Sequence, residues 1–103
     1  MFYNQKIKKM TRYNKSDMVY KDYSWTAIKG DDPKITGEPD STLFNRHEGY
    51  EVLYMINKCM VKWEFHSVSS GQKIEKMIRL HLPSDTRSQK NVYDWLDRNY
   101  NNY

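Results

Sequence analysis

Four polar residues between positions 87 and 91 have side chains that can pair with the edges of nucleic-acid bases. They are Arg87, Gln89, Lys90 and Asn91. Arginine and lysine pair with guanine, while glutamine and asparagine pair bidentately with adenine. In helix-turn-helix proteins such residues occupy the N-terminal end of the helix that enters the major groove. We therefore predict that a helix beginning near position 85 presents these four side chains to DNA.

Three basic residues upstream recur at an interval of three. Lys73, Lys76 and Arg79 would lie on one side of a helix at this spacing. Cationic side chains in such a row contact phosphates and fix the orientation of a protein on nucleic acid. Together with the residues at 87–91 they predict a helix-turn-helix-like pair.

The same side chains are also ordinary solvent-facing residues of a helical bundle. Asp94 and Asp97 lower the positive charge of the last predicted helix, and the turn before it lacks the glycine common in helix-turn-helix units. Tyr50, Tyr54 and Tyr93 have rings suited either to stacking on bases or to a dimer contact. The alternative hypothesis is a protein-interaction module that binds an acidic partner or forms a homodimer.

The histidine, glutamate and cysteine residues do not form a recognisable catalytic or metal-binding pattern. His47 and Glu51 lie four residues apart, but the order H-E-x-x-E lacks the second histidine of zinc proteases. A metal would need a further ligand. Cys59 falls within an apolar helical stripe, which predicts a buried thiol. We expect no metal, no cofactor and no enzymatic activity.

Apolar residues at helical spacing predict three helices that would position these groups, at residues 46–65, 71–82 and 85–99. Their apolar faces form the predicted core: Val52, Leu53, Ile56, Cys59, Met60, Trp63, Ile74, Met77, Ile78, Leu82, Val92, Trp95, Leu96 and Tyr100. The spacing of polar residues predicts capping pairs at Asn45 and Glu48, Ser69 and Gln72, and Thr86 and Gln89. Pro83 is expected to end the second helix in a tight turn, and the polar tail 99–103 to fray.

The residues before the first helix are predicted to be less regular. Residues 1–17 are expected to form a basic arm that either follows phosphates or is a solvated, partly frayed terminus. Residues 18–28 are predicted to form a strand or half of a short hairpin, and residues 29–44 a loop rich in glycine and proline. The arm contains Lys6, Lys8, Lys9, Arg12 and Lys15.

Composition places residues 1–103 in one small domain with a net charge of +4. Nine tyrosines, three tryptophans and six methionines predict an aromatic-rich core. No stretch approaches the ~20 apolar residues of a membrane span, and no apolar signal segment is evident. A single cysteine favours a reducing compartment, hence the cytoplasm. Abundant lysine, asparagine and tyrosine indicate an AT-rich coding sequence, which is common in phage and mobile elements.

The sequence thus predicts an α+β, mostly helical fold. An N-terminal strand or short hairpin would pack on a three-helix bundle whose C-terminal pair is helix-turn-helix-like. The predicted function is that of a small nucleic-acid-binding accessory protein whose partner is DNA or another anionic molecule, with no role at a membrane.

Overall fold

A computed structural model describes residues 12–26 and 42–103. In these residues the chain forms three α-helices: α1 (Gly49–Trp63), α2 (Val68–Leu80) and α3 (Gln89–Asn99). The three predicted helices are therefore confirmed, with ends that differ from the prediction by at most four residues. None of the helices in the described residues is long and apolar enough to cross a membrane.

The helix ends are set by different capping residues from those predicted. Glu48, Ser67 and Ser88 cap α1, α2 and α3 through side-chain oxygens that accept backbone N–H groups of the first turns. Asn45 instead accepts a hydrogen bond from the His47 N–H, two residues on, which holds a turn before the helix. Each predicted capping pair therefore lies close to the residue that caps the helix, but the first residue of the pair is not that cap.

The core lies between the three helices, as predicted from their apolar stripes. Val52, Ile56 and Cys59 of α1 are fully buried, with Ile74 of α2 and Val92 of α3. Most of the other predicted core residues are buried as well, and Leu53, Trp63, Trp95 and Tyr100 pack partly buried at its edge. Burial of this apolar surface is the main source of stability for the bundle.

Residues 12–26 contribute to the same core, although the sequence predicted packing on the helices only for residues 18–28, and there as a strand or hairpin. Tyr13, Met18 and Tyr23 are buried against the helices. Of the predicted arm, residues 12–17 are described: Tyr13 is packed against the helices, and Lys15–Asp17 form a short 3-10 helix. Residues 1–11 lie outside the described residues.

Glycines at two helix starts allow this segment to approach closely. A Cβ atom on Gly71 would overlap the Tyr13 ring, and a Cβ atom on Gly49 would overlap the Trp25 ring. Each ring therefore lies directly against helix backbone. Close approach of this kind requires a residue without a side chain.

The predicted strand at 18–28 is not formed over the described residues 18–26. That segment is irregular, with one parallel bridge from Ser24 to Glu48. Its backbone groups instead bond to helix side chains, because the Val19 and Tyr20 N–H groups donate to the Glu75 carboxylate. Residues 27 and 28, and most of the predicted loop at 29–44, lie outside the described residues.

The connection between α2 and α3 is longer than the predicted tight turn. Helix α2 ends at Leu80 and α3 begins at Gln89, because the Thr86 N–H donates to the Pro83 carbonyl in a separate turn. A compact helix-turn-helix geometry is thus not formed. The tail beyond α3 is not frayed as predicted, since Tyr100–Asn102 form a 3-10 helix.

Candidate nucleic-acid interface

Two arginines meet at the connection between α2 and α3. Arg46 Nη1 donates to the Leu82 carbonyl and Nη2 donates to the Pro83 carbonyl, both at 2.9 Å. Arg87 Nε donates to the Ser84 carbonyl at 3.2 Å. The two guanidiniums therefore hold consecutive carbonyls of one loop. We call Arg46 and Arg87 the arginine pair.

The arginine pair carries positive charge that no described acid neutralises by an ion pair. The described ion pairs of the molecule, Arg79–Asp22 and Lys90–Asp94, involve neither guanidinium. Partial burial lowers the pKa of Arg46, and the neighbouring charge of Arg87 lowers it further. Because like charges repel, an anion bound between the guanidiniums would be favourable.

A short backbone pairing fixes the position of Arg87. The Phe44 N–H donates to the Arg87 carbonyl at 2.7 Å, and the Gln89 N–H donates to the Thr42 carbonyl at 2.8 Å. Leu43 and Ser88 thereby form an antiparallel bridge. These hydrogen bonds hold the Arg87 carbonyl and the Gln89 N–H in place. The exposed side chain of Arg87 therefore extends from a fixed backbone.

The four predicted base-contacting residues lie together at the start of α3. Arg87, Lys90 and Asn91 are exposed, and Gln89 is half-buried. Lys90 forms an ion pair with Asp94 at 2.8 Å, one helical turn on. Its charge is therefore partly neutralised, and Arg87 is the strongest cationic group of the set.

The three predicted phosphate-binding residues of α2 do not act as one row. Lys73 lies over the Tyr100 ring at 4.0 Å. Arg79 donates two hydrogen bonds to Asp22. Among the described residues, Lys76 forms no ion pair and is exposed. Of this set, Lys76 alone presents a cation without a described partner.

An aromatic stack includes His81, the first residue of the connection between α2 and α3. The His81 and Tyr103 rings are stacked, with centroids 4.2 Å apart and planes inclined by 22°. Trp95 lies beside Tyr103, with centroids 6.1 Å apart. His81 precedes Leu82, whose carbonyl Arg46 holds. We call His81, Trp95 and Tyr103 the ring stack.

The tyrosines predicted for base stacking have other partners. Tyr50 packs against the edge of Trp25, with ring centroids 5.0 Å apart. The Tyr93 hydroxyl accepts a hydrogen bond from Trp63 Nε1 at 3.2 Å. Tyr103, which the sequence did not single out, remains 52% exposed. Its position next to His81 could not be inferred from residues so far apart in the sequence.

An apolar groove lies at the C-terminal end of α1. It has a volume of about 440 Å³, and Val61 on its wall is 72% exposed. Its lining residues are Arg12, Asn57, Met60, Val61, Glu64, Phe65 and His66. Helix α1 has 15 residues, so the groove and the arginine pair are separated by about 20 Å along its axis.

The Cys59 thiol and the Glu48 carboxylate both have structural surroundings. Burial raises the pKa of the Cys59 thiol, which disfavours the reactive thiolate. The Glu48 carboxylate caps α1 and accepts hydrogen bonds from Thr26. Within residues 12–26 and 42–103, no three histidine, cysteine or acidic side chains are grouped closely enough to hold a metal ion.

Comparison with protein-family models, with curated proteins and with solved structures finds no match to this chain. The interpretation of the arginine pair and the groove therefore depends on their geometry.

Proposed function

We propose that the protein is a nucleic-acid-binding accessory protein without enzymatic activity, and that the arginine pair contacts phosphates. The observation that supports this proposal is the meeting of Arg46 and Arg87 at one loop, without an ion pair to a described acid. Asp85 lies in the same loop but bonds to neither guanidinium. Arginine is favoured for phosphate because its donors match the phosphate oxygens.

The neighbouring residues supply further contacts. Lys90 and Asn91 are exposed in the first turn of α3, immediately after Arg87. Gln89 is less accessible, since it is half-buried. Arg46 holds the loop through two hydrogen bonds and Arg87 through one, so Arg87 is the better residue for a test. Lys76 contributes phosphate contact from α2, while the charge of Arg79 is directed to Asp22.

The proposal is tested by comparing Arg87→Gln with Arg12→Gln. Both variants remove one arginine charge from an exposed site, but Arg12 lies at the groove, at the opposite end of α1. Fluorescence anisotropy with labelled oligonucleotides should show binding at low salt that weakens as salt is added. Arg87→Gln should weaken binding several-fold more than Arg12→Gln. Equal effects, or absence of binding at low salt, would overturn the proposal.

The cellular setting that we propose is a reducing compartment, the cytoplasm, in a phage or mobile-element context. Cys59 is a free, buried thiol, and reduced thiols are usual in the cytoplasm. The lysine-, asparagine- and tyrosine-rich composition supports the proposed origin.

The apolar groove supports a second function, association with another protein surface. Exposed apolar residues beside a groove are typical of such contacts, and a second copy of the chain is the partner to test first. Sedimentation should show a mass that increases with protein concentration. Val61→Glu should abolish the increase, whereas Leu43→Glu, at another exposed apolar residue, should leave it unchanged. A constant monomer mass would exclude self-association.

A further inference from the structure

The ring stack and the arginine pair are linked through two consecutive residues, His81 and Leu82. Arg46 Nη1 bonds to the carbonyl of Leu82, the residue that follows His81, and His81 stacks on Tyr103. One loop therefore connects cations suited to phosphate with rings suited to a base. We propose that this surface binds single-stranded nucleic acid, with a base stacked on the ring stack. The inference rests on the proposed function.

The exposure of the rings favours an unpaired base. Tyr103 is half-exposed and His81 is exposed, so the stack reaches solvent and is not closed within the core. An aromatic face binds any base that is free to leave its neighbours, which is the case in a single strand. In a duplex the faces of the bases are covered by adjacent pairs, and recognition uses base edges instead.

The arrangement of the chain also disfavours duplex recognition. Helix-turn-helix proteins place a recognition helix in the major groove after a short turn. Here α2 and α3 are separated by residues 81–88, and His81 and Arg87 themselves belong to that connection. His81 and Arg87 thus lie along a loop and not on the face of a recognition helix. A flexible single strand can follow such a surface.

The experiment compares labelled oligothymidine, oligouridine and duplex DNA of equal length by fluorescence anisotropy. Single strands should bind more tightly than duplex. Tyr103→Ala should weaken single-strand binding roughly tenfold, and Tyr103→Phe should retain it because the ring is kept. The oligothymidine and oligouridine arms show whether the strand taken is DNA or RNA, and tight binding of either supports the inference. Circular dichroism checks that both variants are folded.

The possible failures are distinguishable. If duplex binds as tightly as single strands, or Tyr103→Ala leaves single-strand affinity unchanged, the stacking inference is wrong. The proposed function then still stands provided that Arg87→Gln weakens binding. If no oligonucleotide binds at low salt, both are wrong. A second variant, His81→Ala, should weaken single-strand binding in the same direction as Tyr103→Ala, and an unchanged affinity would count against the stack.

Discussion

The hydroxyl of Tyr13 donates a 2.8 Å hydrogen bond to the buried carboxylate of Glu75, which lies 62 positions later in the chain. The same carboxylate accepts hydrogen bonds from the Tyr23 hydroxyl and from the Val19 and Tyr20 N–H groups. Its four donors all come from residues 13–23. One carboxylate of α2 therefore fastens the N-terminal segment to the helices.

Replacing Glu75 by glutamine should destabilise the protein by about 3 kcal/mol or more. The amide offers one acceptor oxygen and turns an N–H group towards two of the donors, and each buried donor left unsatisfied costs about 1–3 kcal/mol. Urea denaturation measures the change. Glu64→Gln is the matched control, because Glu64 is exposed. A loss at Glu75 no larger than at Glu64 would contradict this account.

Alanine at Gly71 should also destabilise the protein, against the usual trend. Glycine-to-alanine changes inside helices normally stabilise by about 1 kcal/mol. At Gly71 the added methyl overlaps the ring of Tyr13, which is almost completely buried. Gly49→Ala should cost less, because the overlapping Trp25 ring is only partly buried. Thermal denaturation of both variants gives the order, and a higher Tm for Gly71→Ala would show that the contact is wrong.

Glycine at position 64 should stabilise the protein. Glu64 follows α1 with φ of 58°, in the left-handed region that costs residues with a Cβ roughly 1 kcal/mol. Glycine is the preferred residue at such helix ends. Thermal denaturation should show a higher Tm for Glu64→Gly but not for Glu64→Ala, which removes the carboxylate and keeps the Cβ. Equal Tm values for the two variants would argue against backbone strain.

Alkaline pH should unfold the protein through Tyr13 and Tyr23. Burial raises the pKa of both hydroxyls above the usual 10.0, and the hydrogen bonds to Glu75 raise it further. The unfolded chain loses these protons near pH 10 while the folded chain keeps them. Stability is therefore intact below pH 10 and decreases above it, by about 1.4 kcal/mol per pH unit for each tyrosine.

The titration can be followed by phenolate absorbance together with circular dichroism. Two of the nine tyrosines should ionise only as the helical signal is lost. The double variant Tyr13→Phe, Tyr23→Phe should be less stable at neutral pH, yet its stability should decrease less steeply above pH 10. If all tyrosines ionise near pH 10 in a folded protein, the buried cluster is not formed as described.

The helices could be predicted from the sequence because their periodicity is local. Val52, Ile56 and Cys59 recur every three or four residues, and a helix that buries them on one side satisfies the pattern. The first residue of each helix could be predicted less closely, because several neighbouring polar side chains are able to cap the same helix. Ser67 caps α2 although Ser69 has the spacing of a capping box.

The contacts that organise residues 12–26 depend on pairs that no local pattern connects. Tyr13 and Tyr23 bond to Glu75 across 62 and 52 positions of the sequence. The aromatic and β-branched residues of this segment favour a strand, but tertiary contacts override such preferences. The same applies to the candidate site, since the approach of Arg46 to Arg87 links positions 41 residues apart.

Oligonucleotide binding should raise the Tm of the protein. The size of this increase in two variants should show whether the arginine pair or the apolar groove binds the oligonucleotide. A ligand that binds only the folded state stabilises it in proportion to the logarithm of ligand concentration over Kd. Single-stranded oligonucleotide should therefore raise the Tm of the unmodified chain and of Val61→Glu equally, because the groove lies about 20 Å from the arginine pair. Arg87→Gln should show a smaller increase at the same concentration. An increase that is lost in Val61→Glu but kept in Arg87→Gln would place nucleic acid at the groove instead.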